Sequence, residues 1–200
     1  LVAVEVAAEI AQRGDPGTLE QEEIRDAQLL IWHRQWLGIA SDVERWVDIR
    51  IYAFETAARL HELITPSRRP DLDIKGLLAD EQAELRAAVL SLAPPHMHIQ
   101  ALALERLADD PSDAVAVSAG LVLCGPLGLP PTPPASLSEE QTLRLARLAG
   151  DRGYDIAIRA DLAPCLAANP SPASKRALAA LTRESPPILR PSLRALGRPR

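Results

Sequence analysis

The sequence predicts an all-α fold built from short antiparallel helical hairpins stacked side by side, and three observations carry that expectation. Apolar residues recur at helical spacing through most of the 200 positions. No alternating run of Val, Ile, Thr or Tyr longer than a few residues marks a strand. The apolar share, 47%, is mostly Leu, Ala, Val and Ile with only 3% aromatic, which suits helices packed closely on helices.

The opening segment carries Val2, Val6 and Ile10 at helical spacing and ends at Gly14-Asp15-Pro16. Thr18 with Gln21, and Ser41 with Glu44, fit the capping box, in which each side chain satisfies a backbone N–H at a helix start. They predict helices over 18–38 and 41–64, with Gly38 allowing a tight turn between them. In the second helix Val43, Val47, Ile51, Phe54 and Ala58 fall on one face, and Glu44, Asp48, Glu55, Arg59 and Glu62 on another. Residues 65–79 read as a polar, proline-bearing connection. They separate a long-helix hairpin region over 1–64 from a short-helix region over 80–200.

In that second region helices are expected at 80–93, 96–109, 113–124, 137–150, 155–168, 172–184 and 187–197. Pro111, Pro170 and Pro186 each follow a leucine by four or five residues and open the next helix, where proline is tolerated. By the same rule Pro164 and Pro191 should kink or shorten the helices drawn through them. Residues 125–135, GPLGLPPTPPA, are too rich in proline to be helical and predict an extended loop.

Three segments of the short-helix region align. DIAIRADLAPCLA (155–167) and PPILRPSLRALG (186–197) share Arg159 and Arg190, followed three residues later by Leu162 and Leu193. DAVAVSAGLVLCG (113–125) sets Leu121 on Leu193 and Gly125 on Gly197, so the copies lie about 41 and then about 31 residues apart. This pattern resembles HEAT-like repeats, whose second helix follows an Asp-Pro-type turn, carries valine and arginine, and runs into Ala-Leu-Gly. PPILRPSLRALG matches best, with Arg190 in the arginine position and Ala195-Leu196-Gly197 at its end. The copy at 113–125 has Ser118 for the arginine, and the copy at 155–167 lacks the glycine. The resemblance covers about residues 80–200. It implies an α-α superhelix, a HEAT-like solenoid, offering a long groove to another protein. No catalytic residue carries over, because the repeat motif specifies packing.

The net charge of −5 disfavours general binding to a phosphate backbone, so no nucleic acid is expected. Charge is unevenly spread, with nine basic and fifteen acidic residues in 1–80 against eleven and six in 136–200. Lys75 and Lys175 are the only lysines, and this preference for arginine suggests a GC-rich, bacterial source. Cys124 and Cys165 sit in apolar helical patterns. They read as two reduced core thiols of a cytoplasmic protein, with a disulfide as the alternative. The longest apolar stretch, Val115–Leu129, is cut by Ser118, Gly125 and Pro126, so no membrane span is expected. A chain that opens on Leu1, with Glu5 and Glu9 where a signal peptide would be basic, reads as trimmed or as a piece of a longer protein.

Five of the six aromatic residues, Trp32, Trp36, Trp46, Tyr52 and Phe54, fall within 23 positions. They read either as the local core of the hairpin or as an aromatic binding surface. Arg144, Arg147, Arg159, Arg176, Arg183, Arg190 and Arg194 would form a basic ridge for an acidic partner, or for the acidic part of another copy, if repeats stack in register. The plainer reading is a set of solvated faces. The residues expected to bind protein are Trp32, Trp36, Trp46, Arg159, Arg190 and Arg194. His33 and His61, near Glu23, Asp26, Asp48 and Glu62, offer acid–base chemistry only if a cleft brings a pair together. His96 and His98 point apart on a helix start, so no metal, cofactor or catalytic residue is expected. The leading expectation is a non-enzymatic protein-interaction scaffold or adaptor. The alternatives are an enzyme or nucleic-acid-processing HEAT-like protein acting at the aromatic hairpin, and a regulatory domain of a larger polypeptide.

Overall fold

A computed structural model describes residues 19–70, 72, 74–93, 99–125 and 136–197. The expected helix around Val2 to Ile10, the Thr18 cap, the His96-Met97-His98 segment and residues 126–135 lie outside the described residues. All regular structure among the described residues is helical, and no described helix is long and apolar enough to cross a membrane. The chain divides into two compact units, Leu1–Pro94 and Pro95–Arg200.

In the first unit α1 (Leu19–Ser41) runs through Gly38, where the sequence had suggested a turn. A glycine inside a helix costs about 1 kcal/mol relative to alanine and does not by itself end it. The turn comes at 42–46, where the Glu44 N–H donates to Asp42 Oδ1 (3.2 Å) and the Arg45 N–H to the Asp42 carbonyl (3.1 Å). Ser41 therefore closes one helix and does not cap the next. Helix α2 (Val47–Leu63) starts behind Trp46, whose side chain makes no capping bond. A 3-10 turn at Pro66–Arg68 leads to α3 (Lys75–Leu78) and α4 (Ala83–Leu92). The expected start of α4 at residue 80 shifts because Asp80 forms a turn of its own, its Oδ1 accepting the Gln82 N–H at 2.9 Å. Helix α1 packs on α2 and α3, and α4 on α2 and α3. Phe54, Ile64, Ile74, Leu78, Leu85 and Leu90 fill the interior.

The second unit holds α5 (Ile99–Asp109), α6 (Asp113–Cys124), α7 (Glu139–Gly150), α8 (Ile156–Asp161), α9 (Ala163–Ala168), α10 (Pro172–Glu184) and α11 (Arg190–Leu196). Ser138 and Gln141 form a complete capping box at the start of α7, and Ser171 caps α10 through the Ser174 N–H (3.0 Å). Pro164 has the expected effect: the segment breaks at Leu162, and Pro164 sits in the first turn of α9. Pro191 likewise occupies the first turn of α11, which starts at Arg190 and not at residue 187. Gly125, at φ +67°, ends α6 in the left-handed region that glycine enters without strain.

The packing in the second unit is layered. Helix α5 lies on α7 and α7 on α10, while α6 lies on α9 and α9 on α11. Gly120 permits close approach here. A Cβ built on it would stand 2.8 Å from Leu145 Cδ1 and 2.9 Å from Leu162 Cδ2, both on fully buried side chains.

Cys124 at the end of α6 and Cys165 in α9 are joined in a disulfide, with Cα atoms 5.1 Å apart. This corrects the expectation of two reduced thiols, and the argument for a reducing compartment loses its basis. The interval of 41 residues between them is also the interval that sets Leu121 on Leu162 in the sequence alignment.

Candidate functional site

The aromatic hairpin splits into an inner and an outer part. Trp32 and Trp36, one turn apart on α1, are half-buried and pack with Leu30 against the buried cluster of Leu29, Leu60 and Ile64. Trp36 also meets Tyr52 of α2 edge-on, with ring centroids 5.9 Å apart, the arrangement in which a positive ring edge faces a negative ring face. Trp46 behaves differently, because it stands at the turn before α2 and is 81% exposed. Val43 in the same turn, and Ile49 and Tyr52 at three-residue steps along α2, are exposed as well. Three-residue steps keep side chains on neighbouring positions of one helix face, so Trp46, Ile49 and Tyr52 form an apolar ridge. Glu44 and Asp48, both exposed, flank Trp46 in sequence.

A helix beginning at residue 41 would set Val43 on one face with Phe54 and Ala58. With the helix starting at Val47, it falls in the turn and faces water. Phe54 and Ala58 are buried as expected, with Val47 and Ile51 half-buried.

The same two helices bring a pair of imidazoles together. His33 of α1 and His61 of α2 are both buried, with ring centroids 5.5 Å apart. Burial, together with the charges of His61 and Arg34, pulls His33 down to about 4, so it is neutral at physiological pH. Among the described residues neither of its ring nitrogens has a hydrogen-bond partner. Asp26, one of the four carboxylates expected near them, is engaged elsewhere. Burial pushes its pKa up, but hydrogen bonds from Thr65 and Arg25 outweigh that and hold it below the usual range. Among the described residues no group of three or more His, Cys, Asp or Glu side chains is placed to hold a metal.

The arginines also divide. Arg159 is buried. Its Nε donates to the Ala149 carbonyl (2.9 Å) and its Nη2 to Glu184 (2.8 Å), which Arg152 also holds. These two guanidiniums draw Glu184 down to about 2. Arg190 Nε caps the Ser185 carbonyl (2.9 Å). Arg144 spans the end of α5, donating to the carbonyls of Leu107 (3.0 Å) and Asp110 (2.5 Å), and Arg147 forks onto Asp113. Arg176, Arg183 and Arg194 point to water. Arg144, Arg159 and Arg190 are therefore bracing, Arg147 is exposed but held by Asp113, and the outward arginines of α10 and α11 are Arg176, Arg183 and Arg194.

A groove of about 560 Å³ opens between the starts of α7 and α10, lined by Leu137, Thr142, Leu143, Pro170, Pro172 and Arg176 among others. Leu143 is exposed in its wall.

No protein-family model, no curated protein and no solved structure matches the chain.

Proposed function

We propose that the chain is a non-enzymatic protein-binding module, a superhelical stack of HEAT-like hairpins that presents the Trp46 ridge to another protein. The observation that carries this reading is the exposure of Trp46, 81%, beside Val43, Ile49 and Tyr52. Leaving an indole and three further apolar side chains in water forgoes about 1.5–3 kcal/mol for each large side chain that burial would gain. Tryptophan and tyrosine are also the side chains most often found as interface anchors.

The superhelical part of the proposal draws support from the layering of like helices on like. The recurrence of one arginine-braced turn in both units supports it too. The disulfide favours a compartment that keeps disulfides oxidised over the cytoplasm expected from the sequence.

The test is a photo-crosslinking amino acid placed at position 46, with a control at the exposed Ala101 of α5. A discrete protein adduct from position 46 alone is expected. No adduct, or the same adducts from both positions, contradicts the reading.

A further inference from the structure

Trp46 at 81% and Ile188 at 83% are the two most exposed large apolar side chains among the described residues, and each unit holds one. Their surroundings carry opposite charge. In sequence Trp46 stands between Glu44 and Asp48, the adjacent Arg45 being paired with Asp42, whereas Ile188 lies between Arg183 of α10 and Arg194 of α11, and Glu44, Asp48, Arg183 and Arg194 are all exposed. Neither Arg183 nor Arg194 has a carboxylate partner among the described residues. The acid nearest Ile188 in sequence, Glu184, is already held by Arg152 and Arg159. The units follow the same division: residues 1–94 carry ten basic and seventeen acidic side chains, and residues 95–200 carry twelve and ten.

We propose that the chain associates head to tail with a second copy, the Trp46 ridge of one molecule seating against the Ile188 face of the next. Contact removes both apolar side chains from water, while the opposed charges steer the encounter and fix which face meets which. The two faces differ, so the contact is heterologous. Each added copy leaves one face of either kind open, and growth continues unless the rotation closes a ring. This inference rests on the protein-binding reading and names a second copy as the partner.

Sedimentation velocity over a concentration series, at low and high salt, tests it. The wild type is expected to associate with rising concentration at low salt and to dissociate at high salt. Trp46→Ala weakens the association about 30-fold, the effect of losing one interface anchor. Glu44→Arg with Asp48→Arg in one chain, and Arg183→Glu with Arg194→Glu in another, each abolish it, and an equimolar mixture of the two variants restores it. All five positions are exposed, so the helical circular dichroism of each variant stays that of the wild type. A wild type that is monomeric at every concentration and salt overturns the proposal. So does association that both double reversals leave intact, or a mixture that remains monomeric. If the wild type is monomeric while position 46 still crosslinks a different protein, self-association falls and the protein-binding reading stands. If crosslinking fails as well, both fall.

Discussion

Arg50 and Arg159 occupy the same place in the same turn, one in each unit. Each donates Nε to a carbonyl ten residues upstream, Ala40 and Ala149, both at 2.9 Å, and each binds a carboxylate further on, Asp80 and Glu184. The turns match in detail: Asp42 and Asp151 each accept, through Oδ1, the N–H two residues ahead. At the receiving end Arg86 caps the carbonyls of Asp80 and Glu81, and Arg190 caps that of Ser185. A guanidinium serves here because its fork reaches a carbonyl and a carboxylate together.

Removing Arg159 strands a buried carbonyl and leaves Glu184 with one cation in place of two. Arg159→Ala should cost about 2–4 kcal/mol of stability, and Arg159→Lys should recover little of it, because an ammonium cannot make both contacts. Arg50→Ala should behave alike. Arg176→Ala, at an exposed position, should stay within about 0.5 kcal/mol of the wild type. Urea denaturation of the four variants checks this. Equal losses at positions 159 and 176 would contradict the bracing role.

Helix positions were legible because prolines punctuate the chain. Pro111, Pro164, Pro172 and Pro191 stand in turns or first turns, where the missing N–H is not needed. The turn at 42–46 was not legible, because Ser41 and Glu44 satisfy a capping pattern that the Asp42 side chain and a backbone-bonded turn replace. The Ser138 box, with Gln141 three residues on, obeyed that pattern and could have been read directly. Burial of Arg159 was hidden because helical periodicity assigns arginine to water, whereas tertiary partners brought it inside. The exposure of Trp46 depended on a helix start six residues later than expected, at Val47 in place of Ser41.

The disulfide closes a loop of 41 residues and constrains the unfolded chain accordingly. Cys165→Ala should lower stability by about 4 kcal/mol on the loop-entropy scale. Thiol titration of denatured, unreduced protein should find no free thiol. Two reactive thiols in protein purified from an oxidising compartment would contradict the bond.

His33 sets a pH dependence. It is neutral in the fold, with its pKa lowered from 6.5 to about 4, so between those values the unfolded chain binds the extra proton. Stability is therefore full above about pH 6.5 and falls as pH drops toward 4, by about 3 kcal/mol over the window. The carboxylate of Glu184, lowered from 4.5 to about 2, adds a loss in the same direction at lower pH. Thermal melts of wild type and His33→Leu across pH 4 to 7 separate the two. The variant should lose the slope above pH 4.5 and keep the one below it, and an unchanged slope would remove His33 as its source.

A binding anchor at Trp46 should hold its partner through purification. The direct measurement is quantitative mass spectrometry of what co-purifies with the wild type and with Trp46→Ala from the native source, the variant having first been shown to melt like the wild type. At least one protein abundant with the wild type, an untagged copy of the chain itself included, should be depleted with the variant by about tenfold or more, as expected for losing an interface anchor. Identical sets of captured proteins would contradict it.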